Sequence, residues 1–223
     1  MSIIALAIRV ALFGCFVGFL AVPSHSEDAK PSGSTANPSA TPAAPATPVD
    51  DFGQEYKKFK EQLTDLPKKI EETSRLVEGR TTAASTHAQI DALRAIVSTA
   101  LAQIVDNGPV AKLGQTALNF TRQKLTDLQQ DTHYTKEQRE YLIKQWTATS
   151  RLTAGAVDEL EAARKELTGL LKILQSNDDY IGELEALNNA AKTVEVIRDL
   201  TSGLREISAH LKVLLQRMNS PSM

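Results

Sequence analysis

The chain has almost no cysteine: the only one among its 223 residues is Cys15, in an apolar N-terminal stretch. The rest of the chain can therefore form no internal disulfide, no cysteine-ligated metal site and no thiol nucleophile. Basic residues show no excess either, since 25 Lys and Arg stand against 27 Asp and Glu. Without such an excess, nothing supplies the attraction to phosphates that dominates nucleic-acid affinity, so we expect no nucleic-acid partner.

Recognisable catalytic and ligand-binding motifs are also scarce. The glycines after residue 50 stand singly, so they form no phosphate-binding loop, and no serine lies in a nucleophile elbow or an S-x-x-K motif. His87, His133 and His210 are scattered, with no H-x-x-x-H or HExxH pair, so we expect no metal centre. A Ser/His/Asp triad assembled through space stays open. The sequence predicts a non-enzymatic protein without metal or cofactor.

The first 26 residues have the pattern of an export signal. Arg9 precedes an apolar run that ends at Val22, and Ser24 and Ser26 give the small-x-small pattern that leader peptidases accept, with cleavage after Ser26. One alternative is lipidation at Cys15, which ends a loose lipobox. Another is an uncleaved anchor, although the run is shorter than the roughly 20 residues of a membrane span. We expect an exported protein, most simply periplasmic, with secreted or membrane-anchored forms as alternatives.

Residues 27–50 are predicted to be a disordered linker. Between Ala29 and Asp50 the composition is dominated by Ala, Pro, Ser and Thr, and the prolines prevent a helix while the small side chains offer nothing to bury. The linker would separate the export signal from a folded domain at residues 51–223.

Apolar residues recur at spacings of three and four from Asp51 onward, which predicts an all-α fold. A first helix from Phe52 to Ile70 carries a heptad seam that Pro67 interrupts. Two long helices are predicted near the C-terminus, one from the capping box at Thr135 to about Gln175 and one from the polar turn at 176–178 to about Asn219. Each would be about 60 Å long, so we expect an elongated antiparallel bundle or coiled coil of about five helices.

Two shorter helices are predicted on either side of a break at residues 106–109. Glycine tolerates positive φ and proline favours the first turn of a helix, so we predict the tip of a helical hairpin there. The predicted tip residues are Asp106, Asn107, Gly108 and Pro109. The alternative is that the two helices are collinear and merely kinked.

The two helices around this break are the least charged part of the folded domain. Between Ala95 and Thr121 only Asp106 and Lys112 are charged. This is typical of the enclosed helices of a bundle. A hairpin that opens and enters a membrane is the less favoured interpretation, because the longest uncharged run is too short to span a bilayer.

An acidic cluster and an aromatic pair could each bind a ligand, but a structural role explains each of them better. Asp178, Asp179 and Glu183 lie at the predicted start of the last helix, where carboxylates compensate the helix dipole, and the pattern lacks the alternating oxygen ligands of a calcium loop. Tyr141 and Trp146 have the chemistry to stack on a small ligand, but we expect them to fill one end of the bundle.

The last helix carries apolar residues on neighbouring tracks, which favours contact with a partner helix or a second copy. The predicted interface residues are Ile207, Leu211, Leu214, Leu215 and Met218. Their burial against the shorter helices is the alternative. The sequence thus favours an exported scaffold, spacer or adaptor of the bacterial cell envelope. A ligand-sensing bundle and a membrane-active protein are alternatives, and membrane contact would otherwise need an uncleaved or lipidated N-terminus.

Overall fold

The computed structural model describes residues 46–78, 83–187 and 189–220, with the backbone alone for 83–85. Every regular element in these ranges is an α-helix, which confirms the all-α prediction. The helices are α1 (Pro48–Thr64), α2 (Leu66–Glu78), α3 (Ala83–Ile104), α4 (Pro109–Gln130), α5 (Lys136–Ala186) and α6 (Ala190–Asn219). The predicted export signal and nearly all of the predicted linker lie outside the described residues.

The first helix begins slightly earlier than the predicted domain boundary at Asp51. The side chain of Thr47 accepts a hydrogen bond from the backbone N–H of Asp50 at 3.3 Å, and the Asp50 carboxylate accepts one in return from the backbone N–H of Thr47 at 3.0 Å. Pro48 occupies the first turn, where no N–H is needed. The predicted break near Pro67 is found, because Asp65 separates α1 from α2.

The predicted hairpin at residues 106–109 is wrong, and the collinear alternative is correct. Contacts with α5 run in one continuous antiparallel order: His87 contacts Asp178, Asp106 contacts Arg164, and the ring of Phe120 lies 5.8 Å from that of Trp146. Helices α3 and α4 therefore follow one another along α5 instead of folding back together.

The turn at residues 105–108 bends the chain without reversing it. The backbone at Gly108 folds tightly onto the last turn of α3, so a Cβ there would lie 2.4 Å from the Gln103 carbonyl oxygen. Only glycine fits this approach. Pro109 then opens α4. The pattern predicted at Asp106, Asn107, Gly108 and Pro109 is thus a real helix break, but it produces a kink.

The turn predicted at residues 176–178 is also wrong, because α5 continues through it to Ala186. The polar side chains find partners without leaving the helix: Asn177 Nδ2 donates to the Ile173 carbonyl at 2.9 Å, and Asp178 contacts His87 and Arg94. The actual cap of α6 is Asn189, whose side chain accepts from the Lys192 N–H at 3.2 Å. Helix α5 is therefore about 77 Å long and α6 about 45 Å, instead of about 60 Å each.

The helices form four antiparallel rods: α1 with α2, α3 with α4, α5, and α6. The first rod packs against the second and the fourth, and α5 packs against the second and the fourth from the opposite side. We call the part where all four rods overlap the four-helix section. Its largest fully buried side chains are Phe59, Leu63, Leu66, Ile70, Ile90, Leu93, Leu167, Leu170, Leu174, Ile181, Leu200 and Leu204.

Helices α4 and α5 extend beyond the other two rods. A Cβ on Gly114 of α4 would lie 3.1 Å from both Phe52 and Val157, so α1 begins at this level. His210 of α6 lies 3.5 Å from Glu166, and the antiparallel order brings the end of α6 to the same level. Past it, residues 118–153 form a pair of helices about 25 Å long, joined by the turn 131–135. We call this pair the arm.

Candidate functional site

The arm has an apolar seam that two helices cover only in part. Phe120 and Trp146 pack edge to face, with an interplanar angle of 70°, and the Lys124 ammonium lies 5.5 Å from the centroid of the Phe120 ring. Trp146 is half-buried, so it fills the seam as expected for this residue. The same prediction is wrong for Tyr141, whose side chain points outward.

The outer surface of the arm is basic where it adjoins the four-helix section. Residues 118–126 and 141–157 contain Arg122, Lys124, Lys144 and Arg151 and no carboxylate. All four cationic residues are exposed. This surface attracts acidic partners at a range set by the ionic strength.

Helix α5 exposes large apolar side chains at both ends. The exposed fractions are 63% for Tyr141, 45% for Leu152, 37% for Tyr180 and 74% for Leu187, the residue that caps α5. We call the solvent-facing side of α5 from Tyr141 to Leu187 the α5 outer face. Single exposed apolar residues are ordinary in folded proteins, but two pairs on one helix form a candidate contact surface.

The predicted interface on the last helix lies inside the bundle. Ile207, Leu211, Leu214, Leu215 and Met218 are all buried among the described residues, at 9% exposure or less. Packing against α5 and against the rod formed by α1 and α2 accounts for the several apolar tracks of α6, which is the alternative explanation of that pattern.

A partly buried polar contact joins α1 to α5 near the base of the arm. The Tyr56 hydroxyl donates a hydrogen bond to the Glu159 carboxylate. Burial raises the pKa of Tyr56 well above its usual range, and the hydrogen bond and negative charge of Glu159 raise this pKa further. The tyrosine therefore stays neutral, and the contact fixes the start of α1 on α5.

The three histidines remain dispersed, but each lies next to a carboxylate. His87 and Arg94 of α3 both contact Asp178, with 2.9 Å between the arginine and the carboxylate, while His133 contacts Asp131 and His210 contacts Glu166. Asp178 thus binds α3 to α5 inside a helix, and the predicted capping role of Asp178, Asp179 and Glu183 is wrong. Within the described ranges, no three His, Cys, Asp or Glu side chains are placed to hold a metal ion. The cluster at Asp178 joins residues more than 80 positions apart, so no local sequence pattern could reveal it.

The chain also offers a long apolar segment and two shallow grooves. Residues from Thr86 to Gln130 are long and apolar enough to cross a membrane by length and composition alone. A groove of about 430 Å³ lies between the α1–α2 junction and α3, with Leu66 and Ile96 in its walls. A second, of about 330 Å³, lies between α2 and α6 beside Glu71 and Lys212.

The arm, the α5 outer face and these grooves are the surfaces from which a function can be argued. Comparison with protein-family models, with curated proteins and with solved structures finds no match for this chain.

Proposed function

We propose that this chain is an exported, non-enzymatic scaffold, spacer or adaptor of the bacterial cell envelope that acts through helix–helix contacts. The observation that carries the proposal is the arm. It projects about 25 Å beyond the four-helix section on only two helices. Its seam residues Phe120, Leu142 and Trp146 remain partly accessible.

The physical argument is that an incompletely covered seam gains free energy when another helix covers it. Burial of apolar area contributes roughly 25 cal/mol per Å², and a helical surface with apolar residues at spacings of three and four accepts a helix in its groove. The four-helix section supplies the rigid support, because its core side chains are fully enclosed. Export is supported by the residue pattern of 1–26, and the spacer role by the length of α5.

The proposal is tested by site-specific cross-linking in the native cells. The full chain would carry a photoreactive residue in place of Tyr141 or Leu152 on the arm, and in place of Lys57 as a control. Lys57 has a side chain 69% exposed on α1, away from the arm. We expect protein adducts in the envelope fraction from both arm positions and none from the control. Exported protein that gives no adduct at either arm position would overturn the proposal.

A membrane-active role is a second candidate because of the segment from Thr86 to Gln130. Its outer side exposes Ile96 and Val105, while Ile90, Leu93 and Val97 are enclosed in the core, so insertion would require the bundle to open. Leakage of anionic liposomes would support this role if Ile96→Glu with Val105→Glu abolished it while preserving the fold. Absence of leakage at any pH would remove it.

A further inference from the structure

We propose that two copies of this chain pair side by side through the α5 outer face, antiparallel, with a two-fold axis near Lys165. The inference names a partner for the helix contacts of the proposed function and rests on that function for its biological role. An interface of this kind is self-complementary: if residue i of one copy contacts residue j of the other, j also contacts i. The residues of the α5 outer face should therefore be arranged symmetrically about one point.

The exposed apolar side chains have this symmetry. Tyr141 and Leu187 are centred on residue 164, and Leu152 and Tyr180 are centred on residue 166. In an antiparallel pair, the arm of one copy would lie along the far end of α5 in its partner. Leu152 and Tyr180, which are four heptads apart, would then meet, while Tyr141 and Leu187, which are not a whole number of heptads apart, would cover the flanks of the interface.

The exposed charges have the same symmetry with opposite signs. Arg151 and Asp179 are centred on residue 165, and so are Asp158 and Lys172. These four residues recur at multiples of seven positions, so they share one track of the helix. Antiparallel pairing would set Arg151 against Asp179 and Asp158 against Lys172, each twice, whereas parallel pairing in register would bring like charges together.

Two further charges fit the same arrangement. Lys144 and Glu183 are centred within two residues of Lys165. At the axis itself, Lys165 of one copy would face Lys165 of the other, and Glu161, which binds Arg164 at 2.7 Å, lies one turn away and would partly offset this repulsion. Within the described part of the chain, neither Lys144, Arg151, Asp158, Lys172, Asp179 nor Glu183 forms an ion pair, so all six charges are available to a partner.

The backbone of the α5 outer face is open to close approach beside this charged track. Gly155, Ala162 and Gly169 follow one another at seven-residue intervals. A Cβ built on Gly169 meets no atom within 4 Å, so packing inside the monomer does not require glycine there. The small side chains let a second helix approach closely enough for the flanking ion pairs to form.

The charge symmetry favours a second copy over other occupants, because a different protein would have no reason to meet a palindromic pattern. The chain's own residues just before α1 are a poor alternative. Positions 27–47 contain no Leu, Ile, Met, Phe, Tyr or Trp that would cover Tyr141 or Leu152.

The first test is charge reversal with rescue in the full chain, followed by sedimentation equilibrium. Arg151→Glu and Asp179→Arg should each weaken dimerisation by about tenfold or more, since each replaces two attractions by two repulsions. The double variant should restore dimerisation to within about threefold of the original. Residues 151 and 179 lie roughly 42 Å apart on one helix, so only an intermolecular contact explains rescue. Arg122→Glu, on the exposed side of α4, is the matched control and should change little.

The second test is disulfide cross-linking in a Cys15→Ser background, which removes the only native thiol. Lys165→Cys, at the axis, should form a cross-linked dimer on mild oxidation. Lys144→Cys should not, because the two thiols would be about 60 Å apart in the antiparallel pair.

A chain that is monomeric at all accessible concentrations would overturn the inference, and so would failure of the rescue or cross-linking through position 144. If arm adducts to a different protein were still obtained in cells, the proposed function would survive this result. Dimerisation as described, with arm adducts only to a second copy of the chain and none in the envelope fraction, would support the pairing and count against the proposed function.

Discussion

The four-helix section and the arm use the same helix, α5, in the same seven-residue register, but they bury it differently. Leu160, Leu167 and Leu174 are enclosed on every side, with exposures of 4%, 0% and 0%. One heptad earlier the register holds Thr153, which is still buried at 5% exposure, and two heptads earlier it holds Trp146, which is only half-buried. The difference is the number of neighbouring rods, so burial here depends on how many helices surround a seam and not only on its pattern.

This contrast implies a gradient of local stability along the molecule. The four-helix section should open only on global unfolding, while the arm should open at a smaller free energy because it excludes less apolar area from water. Substitutions in the two sections test that gradient.

Leu170→Ala should have the largest effect. The side chain is fully enclosed in the four-helix section, so its truncation removes buried methyl groups and leaves a cavity. We expect a loss of about 3–5 kcal/mol in the free energy of unfolding, measured by denaturant titration. A loss below about 1 kcal/mol would show that the core relaxes freely around this position and is packed no better than the arm.

Trp146→Ala should have a smaller and more local effect. The ring is half-buried against Phe120, so we expect a loss of about 1–2 kcal/mol. Hydrogen exchange should accelerate in the amides of the arm and change little around Leu170. Equal acceleration in both sections would contradict the proposed gradient and indicate one cooperative unit.

Substitution of Gly114 tests the packing at the boundary between the arm and the four-helix section, with Gly203 as its control. A Cβ on Gly114 would lie 3.1 Å from Phe52 and Val157, whereas one on Gly203 meets Ile173 at an ordinary 3.7 Å. Gly114→Ala should therefore destabilise the fold by about 1 kcal/mol because the crowding exceeds the gain in helix propensity. Gly203→Ala is the matched control and should stabilise it by up to about 1 kcal/mol. Thermal unfolding of both variants would check these opposite signs.

The smallest effect is expected in the loss of stability at acid pH. The ammonium of Lys212 and the hydroxyl of Ser208 hold the pKa of Glu71 below its usual value, and the N–H and ring of His133 lower the pKa of Asp131 in the turn of the arm. Stability from a lowered carboxyl pKa is present above its unfolded value and is lost as pH falls through the folded value.

The melting temperature of Glu71→Gln should therefore decrease less than that of the original chain as the pH is lowered. Asp131→Asn should instead change only hydrogen exchange near the turn, because it lies outside the four-helix section. A global change in the acid limb from Asp131→Asn would be inconsistent with the gradient.

Local signals were sufficient for the helical class, the capping box at Thr135 and the breaks near Pro67 and Pro109, because each depends on neighbouring residues. They were insufficient where the outcome depends on distant partners. Residues 176–178 resemble a turn, yet Asp178 stays in α5 because His87 and Arg94 of α3 satisfy its carboxylate. The break at Pro109 was visible, but its direction was not, since α5 determines whether the chain reverses or continues.

The candidate surfaces show the same limit. The apolar tracks of α6 suggested an interface at Leu211 and Leu214, but α5 and the rod formed by α1 and α2 enclose them. The exposure of Tyr141 and Leu152 gave no sequence signal, because it depends on where α1 and α6 end. The symmetric arrangement of the charges on the α5 outer face can be recognised in the sequence only once 51 residues are known to form one uninterrupted helix.

The position of Pro48 has a mechanical consequence. Phe52, in the second turn of α1, lies at the level of Val157, about two fifths of the way along α5 from its N-terminal end. A chain that enters at Thr47 joins the elongated molecule at its side. A tether attached there would leave both ends of the molecule free to bind other proteins. A load applied through such a tether would bear first on the junction of α1, α4 and α5, where Tyr56 binds Glu159.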